Sequence, residues 1–201
     1  FVRFDPPSAY LELNSVSLQP LLGSLFNNSL FAEQLDSRYG LPKEVREVLL
    51  NAPVVVRLDA LEAGRFQALI QARLMLAADQ TDRIKRSLDA VASALLQRGF
   101  QTVQRSLLSL EGQPSDRVAD VWLDPQGHPQ GGWSLSPPLR GQVELLLALG
   151  DAPKLGPNPL TRRGQQWLRL QARPDQLVRL DWLRPGWPRV LRQASQLELE
   201  M

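Results

Sequence analysis

There is no cysteine anywhere in this 201-residue chain. That excludes disulfides, thiolate zinc sites, cysteine-ligated iron–sulfur clusters and cysteine nucleophiles. Histidine is nearly absent as well. Any imidazole general base or catalytic triad must use His128. That residue sits in Asp-Pro-Gln-Gly-His-Pro, a sequence that reads as a hairpin turn rather than as a site. No Gly-x-Ser-x-Gly elbow and no glycine-rich phosphate loop occurs. No run of eighteen apolar residues exists. The longest candidate, 143–149, is far too short to span a bilayer. Lysine is scarce: three Lys stand beside twenty Arg.

What is present is globular. Hydrophobic residues make up 43% of the chain and charged residues 22%, enough to build a core over one domain or at most two small ones. The expected organisation is a single domain over 1–201, with a sub-boundary, if any, in the loop 151–164. The chain starts at Phe1, which fits a processed protein or a piece of a longer one with an anchor or signal upstream. The net charge is only +2, but it is unevenly spread. From Arg162 onward there are eight Arg against four acids.

The periodicities place the elements. Residues 10–13 alternate as a strand, and Ser17 is the expected N-cap of a helix whose stripe is Leu18, Leu21, Leu22 and Leu25. A second helix is expected over 29–35, and a third starts at Pro42, with Val45, Val48 and Leu49 on one face. Residues 54–58 and 66–76 alternate with period two and form an expected hairpin turning at Glu62-Ala63-Gly64. Ile84, Leu88, Val91 and Leu95 then mark the clearest helix. Asp79 or Thr81 is expected to cap it, and Gly99 to end it. Strands follow near 102–110, 118–123, 133–135 and 142–149. Beyond a Pro/Gly-rich loop over 152–164 come a strand at 167–171, helices after Pro174 and Pro188, and a last strand at 197–200. Short β–β links favour antiparallel pairing. The expected fold is therefore α+β, with a largely antiparallel sheet of about six to eight strands and helices on one side. Tyr10-Leu11-Glu12-Leu13 and Trp167-Leu168-Arg169-Leu170 each precede a Leu-rich helix, which suggests a duplicated β-α-α unit.

Two clusters invite a chemical reading. Asp116, Asp120, Asp124 and His128 are spaced by four, the pattern of ligands on one helical face. Pro125 and Gly127 deny that helix, and on a strand the outer acids stand roughly 26 Å apart, so no metal is assigned. Residues 167–193 hold three Trp and six Arg, the composition of a single-stranded nucleic-acid groove. The interaction patch it would form is Arg162, Arg163, Arg169, Arg179, Arg184, Trp187, Arg189 and Arg192. Read by period, however, the Leu residues fall inside and the Arg residues outside, as on a solvated face.

The segments 10–25, 66–100 and 167–183, under half of the chain, are similar to a bacterial membrane-anchored family of unknown function common in cyanobacteria. The resemblance implies an extracytoplasmic domain behind an N-terminal anchor, in the periplasm or thylakoid lumen, with no known activity. A cytoplasmic location is the alternative. The functional expectation is a non-enzymatic interaction or structural domain with a protein partner. No catalytic residue, cofactor or metal is assigned. The alternatives are a nucleic-acid binder using the Arg/Trp region and an enzyme whose carboxylates are assembled by the fold.

Overall fold

The computed structural model describes residues 10–60, 68–109, 112–156, 168–179, 186 and 188–200. The expected turn at 62–64 and Phe66 lie outside these residues. A ten-stranded sheet organises the chain. In chain order the strands are β1 (Leu11–Ser15), β2 (Val54–Ala60), β3 (Ala68–Ala77), β4 (Gln101–Ser109), β5 (Pro114–Leu123), β6 (Pro129–Leu135), β7 (Gln142–Leu149), β8 (Lys154–Leu155), β9 (Leu168–Ala172) and β10 (Leu197–Glu200). The helices are α1 (Gln19–Phe26), α2 (Ser29–Tyr39), α3 (Lys43–Asn51), α4 (Thr81–Leu96), α5 (Pro174–Arg179) and α6 (Arg189–Gln193). The order across the sheet is β10-β9-β1-β2-β3-β7-β6-β5-β4-β8.

The fold is α+β with a mostly antiparallel sheet, as the short links predict. The expected six to eight strands fall short of the ten observed. Part of the difference is β8. It lies in the Pro/Gly-rich stretch read as loop, and it joins the sheet through two residues, parallel to β4 at Leu108–Lys154 and Ser109–Leu155. So short a strand leaves no periodic signal. The caps differ as well. Ser17 does accept the Gln19 N–H at 3.0 Å, but its own hydroxyl donates to the Leu50 carbonyl. No side chain caps α4. A 3₁₀ turn over Ala78–Gln80 precedes it, and the Thr81 hydroxyl bonds back to the Ala78 carbonyl. Gly99 ends the helix region in a left-handed conformation, φ +85°, as expected.

Strand alternation sorts the side chains onto two faces. Val54, Leu74, Leu76, Trp122, Trp133 and Leu145 share one face and pack with Val45 of α3 and with Ile84 and Leu88 of α4. Leu58 and Ala172, on that same face by register, pack with Leu177 of α5. The opposite face has its own apolar cluster of Leu107, Ala119, Val121, Leu123 and Leu146, with Ala152 and Leu155 packed on it.

The sheet curls towards this second face. Four strand spacings separate β4 from β3, about 19 Å on a flat sheet. Yet Lys154, whose Cα partner is Leu108 on β4, donates its backbone N–H to the Gln71 side chain of β3 at 2.7 Å. The segment carrying β8 therefore crosses the hollow of a rolled sheet. Gly132 permits the crossing. A Cβ there would meet the Asp120 carbonyl at 2.4 Å and Pro153 at 3.1 Å.

At the other end of the sheet, β1 and β9 are antiparallel neighbours, with Leu13 opposite Leu170. Each is followed by helices, and each chain segment returns to an antiparallel strand on the outer side, β2 and β10 respectively. No helix among the described residues is long and apolar enough to cross a membrane.

Candidate functional site

The helices do not cover all of their face. Ile70 of β3 and Leu149, the last residue of β7, are register partners at the end of the β3–β7 ladder, and they remain 38% and 57% exposed. The same row continues through Gly131 to Trp122. These residues floor an apolar cleft of about 680 Å³. Leu35 and Tyr39 of α2, Leu41, Val91 and Leu95 of α4, and Phe100 form its helical wall. Ala68, Gln130 and Gly150 also line it. The volume falls within the range of small-molecule sites, roughly 300–1,000 Å³.

Each part of the cleft has a local cause. Gly99 turns the chain out of α4, and the Phe100 N–H bonds back to the Leu95 carbonyl at 3.1 Å, which brings the ring to the wall. Gly40 ends α2 at φ +61° and stands against α4 so closely that a Cβ would lie 2.5 Å from Ala90 Cβ. Gly131 leaves room over the floor, where a Cβ would meet the Trp122 ring at 3.0 Å. Gly150 closes the end of β7 against the Ala68 carbonyl. Trp122 is 7% exposed, and its Nε1 is out of reach of solvent and without a hydrogen-bond acceptor. The indole therefore offers the cleft carbon rather than its N–H.

Helix α2 is a wall with little core beneath it, since none of its residues is buried. Polar contacts hold it instead. Arg46 of α3, itself buried, donates Nη1 to the carbonyls of Ala32 at 3.2 Å and Leu41 at 2.6 Å. Arg98 donates to the Tyr39 hydroxyl at 2.6 Å and lies 4.9 Å from the centre of that ring. At another part of the lining, the Gln130 side chain donates to Asp124 at 2.9 Å. No carboxylate is among the described lining residues.

The curled face carries a second, polar arrangement. Glu144 pairs with Arg117 at 2.5 Å and with Arg73 at 3.7 Å. Arg117 also donates to the Ser134 hydroxyl and to the carbonyls of Ser134 and Glu144. Arg73 reaches the Gly156 carbonyl at 3.1 Å. Burial lowers the Arg73 pKa from its ordinary value, and the Glu144 carboxylate opposes that shift. Beside it, Arg57 pairs with Asp59 and Glu12. Val55, Arg57, Gln71, Arg73, Leu146, Lys154 and Gly156 enclose a cavity of about 10 Å³, room for one water. Opposite charges are matched across strands here, which marks a structural network rather than a ligand site.

The Arg/Trp region is laid out across both faces. Arg162, Arg163, Arg184 and Trp187 lie outside the described residues. Arg169 points to the curled face and is bound by Glu198, with its Nε at 2.7 Å. Arg179 closes α5, and Arg189 and Arg192 lie on α6. Since α5 packs on the other face, the sheet stands between Arg169 and Arg179. The Asp/His series is also dispersed. Asp116 and Asp120 lie on β5. Asp124 takes the Gln126 and His128 backbone N–H groups at 3.0 and 2.8 Å. Partial desolvation, which alone would raise the Asp124 pKa, is outweighed by these bonds and by His128, so it lies below the ordinary value. No cluster of three metal-ligating side chains occurs among the described residues.

Sequence reasoning did not single out Ile70, Leu149 and Trp122. Alternation assigns each to a face, but it does not say whether a helix lies above that point. The chain matches no protein-family model, no curated protein and no solved structure.

Proposed function

We propose that this chain is a non-enzymatic binding module whose site is the cleft between α2, α4 and the sheet. The observation that carries the reading is the exposed pair Ile70 and Leu149 at the floor of a 680 Å³ apolar concavity. Leaving such a surface uncovered forgoes burial at roughly 25 cal/mol per Å². An apolar occupant recovers that stabilisation. The extracytoplasmic setting implied by the family resemblance belongs to the same proposal, as does descent of β1-α-β2 and β9-α5-α6-β10 from one duplicated unit.

The test is a titration with the amphiphilic, anionic fluorophore 1-anilinonaphthalene-8-sulfonate, displaced by dodecanol. The wild-type chain gives saturable enhancement that dodecanol reverses. Leu149→Trp, which fills the cleft from a half-exposed position, abolishes it while the circular dichroism and melting curve stay unchanged. Equal enhancement in both proteins overturns the proposal.

A further inference from the structure

We infer that the cleft takes a single-chain amphiphile with an anionic head, of the alkyl carboxylate class, and that Arg98 receives the head. This rests on the reading of the cleft as a binding site and adds the chemistry of its occupant.

The wall and floor at Leu95, Phe100, Ile70, Trp122 and Leu149 offer carbon. Such a surface selects an apolar chain and rejects a polar one, because a polar group placed there loses its water without gaining a partner. Beside the Tyr39 part of the lining the charge is cationic, whereas Asp124, beside the Gln130 part, already accepts the Gln126 and His128 backbone N–H groups and the Gln130 side chain. The Arg98 guanidinium sits over Tyr39, a lining residue, and spends one N–H on its hydroxyl. Arg98 makes no ion pair among the described residues, and it differs from other such arginines, Arg83, Arg86 and Arg105 among them, in standing on a residue that lines the cleft. A guanidinium carries five donors arranged to meet a carboxylate in parallel pairs. Tyr39 fixes its plane by stacking and hydrogen bonding, so little side-chain freedom is lost when an anion arrives. The arrangement is an apolar hollow with, on its Tyr39 wall, a cation that has no acidic partner among the described residues, which is complementary to a chain ending in a carboxylate.

The experiment is isothermal titration of the full chain with dodecanoate, dodecanol and dodecyltrimethylammonium, each below its micelle concentration. Dodecanoate binds about tenfold more tightly than dodecanol, the effect of one charge-assisted contact. The ammonium binds more weakly than either. Shortening the chain by one methylene weakens dodecanoate about fourfold. In Arg98→Gln the preference for the acid over the alcohol disappears, while dodecanol binding is retained. Arg98→Lys restores part of the preference. In Leu149→Trp all three ligands fail, and Leu149→Glu, a second variant at the same half-exposed position, selectively weakens the acid. Equal binding of acid and alcohol to the wild type overturns the headgroup assignment and leaves the cleft intact as a site. Absence of binding by all three overturns both.

Discussion

Replacing Glu144 by Gln removes one negative charge from between two guanidinium groups and changes little else. The carboxylate is 12% exposed, Arg73 is 9% and Arg117 is 15%, so water screens the triad weakly. At an effective dielectric of about 20, an ion pair near 4 Å is worth about 4 kcal/mol. Gln keeps the shape and one acceptor, and Arg117 keeps its bonds to Ser134. The two cations then repel each other without compensation. Breaking a buried pair by removing one partner typically costs 3–5 kcal/mol, and the retained bonds place Glu144→Gln near the lower bound, about 3 kcal/mol. Urea unfolding monitored by circular dichroism reads this directly. With a slope of about 2 kcal/mol per molar, the midpoint falls by about 1.5 M. Arg73→Met in the same background relieves the repulsion and recovers part of the loss. A midpoint shift below about 0.3 M, or a double variant less stable than Glu144→Gln, would refute the reasoning.

Three further outcomes follow from other parts of the structure. Leu88→Ala, at a 6% exposed position where α4 meets the sheet, lowers stability by about 2–5 kcal/mol in chemical unfolding. Gly150→Ala costs at least about 2 kcal/mol, because φ is +97° and the new Cβ would stand 2.1 Å from the Ala68 carbonyl. Gly141→Ala, with φ +76° and open space around it, costs only about 1 kcal/mol, so the difference isolates the close approach. Asp124 has a folded pKa below its unfolded value, so its contribution is complete above the unfolded pKa and is lost as pH falls through the folded one. The stability gap between wild type and Asp124→Asn is therefore constant above about pH 5 and narrows in acid. Urea midpoints from pH 3 to 7 show it, and a gap that does not change with pH contradicts the assignment.

Much of the scaffold was legible in the residues. The alternation of Val54, Val56 and Leu58, and the stripe of Ile84, Leu88, Val91 and Leu95, fix elements through burial alone, and burial is what produced those patterns. The strand β8 was not legible, since two residues have no period and their pairing partner Leu108 is some forty-five residues away. Nor was the crossing of the β8 segment over the curled sheet, which needs the close approach of Pro153 to Gly132, residues distant in sequence, rather than any local preference. The Arg/Trp stretch illustrates the reverse. Its composition suggested one basic groove, whereas strand parity sends Arg169 to the face opposite α5. The cleft escaped the sequence for a related reason. Ile70 and Leu149 read as ordinary core residues of β3 and β7, and their exposure depends on where α2 and α4 stand over the sheet.

The chain contains two isoleucines, and they report on opposite sides of this question. Ile70 floors the cleft, while Ile84 is 1% exposed on the core-facing side of α4. A methyl correlation spectrum of isoleucine-labelled protein thus holds two δ1 signals, one from the site and one from the core. Titration with dodecanoate is predicted to shift the Ile70 methyl saturably and leave the Ile84 methyl in place. An unmoved Ile70 signal, or equal movement of both, would contradict the claim that this cleft is the binding site.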